Sequence, residues 1–144
     1  METGIVRTFG EPDRQDVIAL WEASGLTRPW NDPGSDIDRK LAVDDSLLMV
    51  AELDGRIVGT VMAGYDGHRG WVNYLAVEPA VRGTGLGAQL MLEAERRLVA
   101  LGCPKVNLQV RQDNANAVSF YERLGYVDDD VISLGKRLTH DDPP

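Results

Sequence analysis

The chain has 144 residues, a net charge of −8 and one cysteine, which together limit what it can be. A domain of this length buries a full hydrophobic core without disulfides. Nucleic-acid surfaces need concentrated Lys and Arg, so we expect no nucleic-acid partner. The N-terminus lacks a basic-then-apolar signal pattern, and no run approaches the length of a membrane span. We therefore expect a cytoplasmic protein of one domain, residues 1–144, with no membrane partner.

The cysteine and the two histidines give no sign of a metal site. A single cysteine, Cys103, excludes an internal disulfide and fits a reducing compartment. Cys103 with only His68 and His140 does not form a metal-ligand constellation, so we predict no metal.

The first part of the chain predicts one strand and two helices. Ile5 to Phe9 has the pattern of a short strand. Asp13 can cap the next helix, with Asp16 placed as in a capping box, and Gly25 can end it. A second, shorter helix is predicted from Asp36 to Val43.

Three strands follow. Leu47 to Leu53 and Arg56 to Tyr65 flank Asp54-Gly55, a strong hairpin signal. Trp71 to Val77 is the third of these strands.

The second half begins with a long amphipathic helix from Leu86 to Leu101, which Gly102 can end. A strand from Lys105 to Arg111 and a helix capped by Asn114 follow. Tyr126 to Leu138 reads as one or two further strands, and the acidic, proline-containing end is expected to fray. The predicted order is β-α-α-β-β-β-α-β-α-β-β, an α/β (α+β) fold.

The most informative run is a glycine-rich bend between the strand ending at Val77 and the long helix. Glycines at 83, 85 and 87 leave the backbone amides open, and a helix N-terminus attracts anions. A nucleotide-triphosphatase loop needs Lys and then Ser or Thr after its last glycine, and Ala88 stands there instead. A dinucleotide fingerprint matches literally, but a hairpin rather than a βαβ unit precedes it.

The third interpretation is the pyrophosphate loop Arg/Gln-x-x-Gly-x-Gly/Ala, which Arg82 to Gly87 fits at every position. Asp113 to Tyr126 resembles a second signature, N-x-x-A-x-x-x-Y-E-x-L-G-F/Y. The chain thus resembles the GCN5-related N-acetyltransferase (GNAT) superfamily over roughly residues 4–138. The loop Arg-Pro-Trp-Asn-Asp-Pro, at residues 28–33, resembles a small stand-alone bacterial branch.

The resemblance implies a mixed central sheet of six to seven strands with about four helices. It also implies acetyl-CoA (coenzyme A) as cofactor, an amine as acceptor and, by family habit, a possible homodimer. The activity would be direct transfer of acetyl to a primary amine; a non-catalytic acyl-CoA sensor is the alternative. The implied cofactor contacts are Leu75, Ala76, Val77, Arg82, Gly83, Thr84, Gly85, Leu86, Gly87, Ala88, Asn114, Ala117, Phe120 and Tyr121.

For the chemistry, Tyr121 matches the general acid that protonates the departing thiolate. The base is open. A related branch has Glu where this chain has Gln109, which cannot act as a base, so Glu78 is our candidate, with Asp66 and His68 as alternatives. Acceptor specificity would come from the loop between the first helices and its neighbours. The candidate pocket residues are Arg28, Trp30, Asn31, Asp32, Tyr65 and Gln109.

Overall fold

The computed structural model describes residues 4–141, which form one five-stranded sheet with helices on both faces. The strands are β1 (Ile5–Thr8), β2 (Leu48–Leu53), β3 (Arg56–Tyr65), β4 (Gly70–Val77) and β5 (Val106–Leu108). The helices are α1 (Arg14–Ala23), α2 (Pro33–Val43), α3 (Leu86–Ala100) and α4 (Ala115–Arg123). The strands lie side by side in chain order, antiparallel except for the parallel pair β4 and β5. No helix within this part of the chain is both long and apolar enough to cross a membrane.

Each face of the sheet has its own apolar core. On one face, α3 packs on the middle strands, and α4 contributes Phe120, Tyr121 and Leu124 at the edge of that cluster. On the other face, Trp21 of α1 and Ile37 of α2 are fully buried against β2 and β4. The sheet therefore separates an α3–α4 side from an α1–α2 side.

Most helix ends lie where the sequence places them. The Asn114 side chain caps α4, accepting from the Ala117 amide at 3.1 Å. At α2, Asp32 is the cap and accepts from the Ser35 amide at 2.9 Å, so this helix begins at Pro33 rather than at Asp36. Asp13 precedes α1, but its carboxylate does not cap it; it accepts instead from Arg7 and from the Gly10 amide.

A buried hydroxyl joins β3, β4 and α1 at an irregularity of the sheet. The register of β3 against β4 shifts between Thr60 and Met62, and Tyr74 there has φ 53°. Such a β-bulge re-aims the side chains around it. Thr60 Oγ1 donates to the Tyr74 carbonyl at 2.8 Å and accepts from Trp21 Nε1 at 2.8 Å. The Tyr74 ring stacks on Trp21 with centroids 3.8 Å apart.

The last strand is shorter than the sequence predicts. β5 spans three residues and pairs only with residues 70–72 of β4. The second half of β4 therefore has no strand partner on that edge within residues 4–141.

The strands predicted from Tyr126 to Leu138 are wrong, and the sheet has five strands rather than six to seven. The acidic run from Asp128 to Asp130 turns the chain where a strand would begin: Asp128 accepts from the Asp130 amide, and Asp130 has φ 56°. Farther on, Ile132 and Leu134 are 83% and 87% exposed, so the apolar pattern meets no buried face. We call residues 127–141 the C-terminal tail; residues 142–144, the last of the expected frayed end, lie outside the described residues.

We expect Thr60→Val to destabilise the fold by about 2–4 kcal/mol, because it leaves a buried indole N–H and a buried carbonyl without partners at nearly constant volume. Urea unfolding followed by circular dichroism measures this. Thr139→Val, on the exposed tail, is the matched control and should change stability by less than about 0.5 kcal/mol. Equal midpoints for the two variants would contradict the role given to Thr60.

Candidate functional site

The N-terminus of α3 lies in an open, glycine-rich bend. Gly83 and Gly85 have φ of 83° and 86°, and a Cβ at either position would meet no atom within 4 Å. Gly85 is the N-cap and supplies no side chain, so the amides of the first turn have no side-chain cap. Unpaired amides at the positive end of a helix dipole bind phosphate groups.

Side chains of this loop bind its own backbone and fix its shape. Arg82 Nε donates to the Val77 carbonyl at 3.1 Å, and Thr84 Oγ1 donates to the Val81 carbonyl at 2.7 Å. The Arg82 contact ties the bend to the end of β4, and the Thr84 contact closes the bend on the turn that follows β4. The loop is therefore held against the strand, with its amides left to a ligand.

Three elements converge at Gly87. A Cβ on Gly87 would lie 3.2 Å from Phe120 Cζ and 3.7 Å from Val77 Cγ2. The end of β4, the first turn of α3 and the middle of α4 thus meet at one point. Only glycine at this position allows that approach without displacing the Phe120 ring.

α4 brings a phenol to the same side of the sheet. Tyr121 packs against the α3-side core together with Leu75, and its ring meets Phe120 edge-on with centroids 5.0 Å apart. Burial raises the pKa of Tyr121 to about 12. The phenol therefore keeps its proton at neutral pH and has an O–H available to donate.

A cleft of about 460 Å³ opens on the α1–α2 side of β4. Its walls come from the loop before α2, from α2 itself and from the bulged part of the sheet. The lining residues are Asn31, Asp36, Arg39, Lys40, Val43, Met62, Asn73 and Tyr74. Two cations and one anion stand among them, in a chain of net charge −8.

Asp36 is the hub of the polar wall. It accepts from the Tyr74 hydroxyl at 2.5 Å, from Arg39 at 2.7 Å and from the Asn31 amide. Burial, and then the Asp36 carboxylate, raise the pKa of Tyr74 well above its usual range, so that phenol stays protonated and donating. Lys40 pairs with Asp45 at 2.7 Å at the side of the cleft.

Asp141, the last described residue of the C-terminal tail, is anchored at the rim of this cleft. Asp141 accepts from the Asp32 amide at 2.8 Å and from both terminal nitrogens of Arg39 at 3.0 and 2.9 Å. Arg137 donates to Asn31 Oδ1 at 2.8 Å and to the Trp30 carbonyl. The Arg39 and Asp32 hydrogen bonds hold the pKa of Asp141 at about 2, so its carboxylate is ionised near neutral pH.

The residues expected to form the acceptor pocket do not all meet. Of these, only Asn31 lines the cleft; Arg28 instead binds the carbonyls of Gly25 and Thr27. Tyr65 donates to the carbonyls of Gly67 and Gly102, away from the cleft. Gln109 donates to Ser133 of the tail.

Two more of the residues expected in the acceptor pocket, Trp30 and Asp32, lie next to the cleft but do not line it. Trp30 is 49% exposed, and Asp32 serves as a helix cap. Glu78, the candidate base, follows β4 and pairs with Arg56 at 3.4 Å, and it is not among the cleft residues.

Sequence reasoning missed Arg39, Asn73, Tyr74 and Asp141. A signal existed for Arg39, which stands three residues after Asp36 on a predicted helix and so shares its face. Tyr74 carried none, because a bulge turns its side chain toward α2 and a regular strand pattern does not show this. Asp141 joins the cleft through a tail without regular structure.

The comparisons with known proteins agree with this geometry. The sequence pattern of the Acetyltransferase (GNAT) family matches residues 15–126, which is most of the chain. The chain belongs to this family, and it is an acyltransferase whose family uses acetyl-CoA. The GNAT resemblance seen in its two motifs is therefore confirmed.

Solved structures share the fold over nearly the whole chain. Glucosamine-6-phosphate N-acetyltransferase from Arabidopsis thaliana is 23% identical with a TM-score of 0.72, over 95% of this chain and 99% of its own. The aminoglycoside N-acetyltransferase AAC(6')-Iy, in complex with CoA, is 17% identical with a TM-score of 0.80, over 96% and 97%. Ard1 from Thermoplasma volcanium is 24% identical with a TM-score of 0.74, over 88% and 84%.

We expect Gly85→Ala to weaken coenzyme A binding, because a side chain at φ 86° costs about 1–2 kcal/mol and shifts the first amides of α3. Isothermal titration calorimetry measures the loss, which should be tenfold or more (~1.4 kcal/mol). Gly135→Ala, on the exposed tail with no atom near the added Cβ, is the control and should bind as wild type. Unchanged affinity in Gly85→Ala would remove the bend from the anion site.

Proposed function

We propose that this protein is an acetyl-CoA-dependent N-acetyltransferase that moves the acetyl group directly to a primary amine in a ternary complex. The observation that carries the proposal is the convergence at Gly87 of the anion site, the unpaired half of β4 and the helix bearing Tyr121. A polar cleft opens on the opposite side of the same stretch of β4. The fold thus offers separate places for donor and acceptor, which meet at one strand.

On the donor side, the chain's own residues bind and orient. The amides of Gly85 to Ala88 hold the pyrophosphate, and Arg82 lies beside them with its Nε bound to the Val77 carbonyl. The backbone of Leu75 to Val77 is the edge that β5 leaves unpaired, and it pairs with the cofactor arm. Asn114 uses its Oδ1 as a helix cap, which leaves its amide nitrogen to donate to the same arm. Coenzyme A supplies the thioester.

The transfer makes one bond and breaks one. In this reaction the amine nitrogen would form a bond to the acetyl carbonyl carbon while the carbon–sulfur bond breaks, and Tyr121 would give its proton to the leaving sulfur. The nitrogen loses its proton to a base, for which Glu78 stays the sequence-based prediction; its pair with Arg56 is long, at 3.4 Å. Backbone amides near Leu75 and Ala76 polarise the thioester carbonyl.

A covalent route through the cysteine does not fit the geometry. Cys103 is 9% exposed and its sulfur lies beside Gly70, where a Cβ would come within 2.7 Å of it. Gly70 begins β4 and Val77 ends it, so the two ends of the strand are roughly 20 Å apart. Direct transfer needs no such nucleophile.

The proposal is tested by a thiol-release screen with acetyl-CoA against amines, polyamines, amino acids and N-terminal peptides. At least one primary amine should be acetylated, with the product confirmed by mass spectrometry. Coenzyme A binding without acetylation of any acceptor would favour the sensor of the same fold. Gln109 is the residue that motivates this alternative, because it stands where a relative has its base.

We expect Tyr121→Phe to lower kcat by about 10²–10³-fold, the usual contribution of a general acid, with little change in coenzyme A affinity. Because the pKa of Tyr121 is about 12, its ionisation should cause no loss of wild-type turnover between about pH 6 and 9. Tyr126→Phe is the matched control: it also loses a hydroxyl, one that donates to Glu95, and it should keep kcat. An unchanged rate in Tyr121→Phe would remove Tyr121 from the mechanism.

A further inference from the structure

The rim of the cleft on the α1–α2 side carries the carboxylate of Asp141, which pairs with the lining residue Arg39. Both terminal nitrogens of Arg39 bind the Asp141 carboxylate, and the Asp32 amide binds it from the other side. Its side chain is 12% exposed although it stands at the end of a tail whose residues 127–140 are exposed. A guanidinium and a backbone amide that converge on one carboxylate form an anion-binding arrangement.

Asp141 is kept there by the Arg39 and Asp32 hydrogen bonds to its carboxylate and by a 3.5 Å hydrogen bond from its own amide to the Trp30 carbonyl. The C-terminal tail has no regular structure, and beside Asp141 it reaches the cleft rim only through Arg137 within the described residues. Arg39 is itself 54% exposed, so its pair with Asp141 is partly solvated and contributes little to stability. A ligand anion can therefore replace the Asp141 carboxylate at small cost.

A second carboxylate, that of Asp36, lies directly beside this anion position and would attract a cation rather than an anion. Arg39 Nη2 also donates to Asp36 at 2.7 Å, and Asp36 lines the cleft near Asn73 and Tyr74 of β4. Asp36 is the one carboxylate among the lining residues, so an ammonium group would pair with it, and an anionic group would pair with Arg39. The other cation among the lining residues, Lys40, is already neutralised by its ion pair with Asp45 at the side of the cleft.

We propose that the acceptor of this enzyme is a primary amine that also carries an anionic group, a carboxylate or a phosphate, which takes the place of Asp141 on Arg39. This inference rests on the proposed acetyl transfer and names its substrate class. Asp141 then acts as a resident competitor: it occupies the anion position of the free enzyme and leaves when the acceptor binds. An amine without an anionic group does not displace Asp141 from Arg39 and so gains no contact with that guanidinium.

The first experiment compares acceptors that differ only in the anion. Glucosamine 6-phosphate against glucosamine tests a phosphate, and alanine against alaninamide tests a carboxylate, all by thiol release with acetyl-CoA. The anionic member of at least one pair should have a kcat/KM about tenfold higher or more, the scale of one charge-assisted hydrogen bond. The pair that shows the difference identifies the anion; equal values in both pairs would overturn the inference.

Two variants assign the effect to these residues. Arg39→Gln should raise KM for the anionic acceptor about tenfold and erase the difference within the pair. Asp141→Asn, which removes the competing charge, should lower KM for the anionic acceptor several-fold and leave that of its neutral partner unchanged. Asp38→Asn, an exposed carboxylate on the same helix that pairs with Arg14, is the control and should change neither. A preference that survives Arg39→Gln would contradict the assignment.

A second measurement does not depend on turnover. The Asp32 amide donates to Asp141, so its nitrogen–proton NMR resonance reports whether that carboxylate is in place. Glucosamine 6-phosphate or alanine should shift this resonance in the coenzyme A complex, and glucosamine and alaninamide should not. A shift of the resonance without acetylation would support the anion site and contradict the proposed acetyl transfer. Acetylation of neutral amines without a shift would support the acetyl transfer and contradict the anion site.

Discussion

The Thr60 hydroxyl is the contact on which both halves of the site depend. It is fully buried, it accepts from the Trp21 indole, and it donates to the carbonyl of Tyr74. That carbonyl belongs to a residue at φ 53°, a conformation that a tyrosine does not adopt without support from its surroundings. The Thr60 side chain thereby fixes the bulge of β4, and the bulge sets the position of the surfaces on both sides of that strand.

On one side of the bulge, the next residues of β4 form the edge that β5 leaves unpaired. On the other side, the Tyr74 ring stacks on Trp21 and its hydroxyl reaches Asp36 on α2. The proposed donor and acceptor surfaces are thus positioned by the same distortion of the same strand. A shift at Tyr74 would move both, which is why the fold secures this residue by stacking and by hydrogen bonds at both its carbonyl and its hydroxyl.

The features of the structure that could be predicted from the sequence are those that depend on neighbouring residues in the chain. Glycines that need positive φ, the Asn114 cap and the hairpin at Asp54-Gly55 follow from the backbone preferences of a few neighbouring residues. The donor site is built almost wholly from such features, so its motifs were visible. The acceptor cleft is built from tertiary contacts, and the bulge at Tyr74 and the anchoring of Asp141 have no local signature. The same reason explains the wrong strands after Tyr126, where the apolar alternation was present but no sheet face covered it.

The meeting point at Gly87 has a consequence for how the protein folds and is stabilised. Gly87 follows Val77 by ten residues, and Phe120 lies a further 33 residues along the chain. Their contact closes one short and one long loop, and it exists only when β4, α3 and α4 are all docked. A partly folded chain therefore has no complete cofactor cradle, and coenzyme A binds the native state alone. By mass action the cofactor then raises the free energy of unfolding of the entire domain, by about 2.7 kcal/mol at a hundred times its Kd. The metabolic supply of the cofactor and the persistence of the folded enzyme are in this way thermodynamically linked.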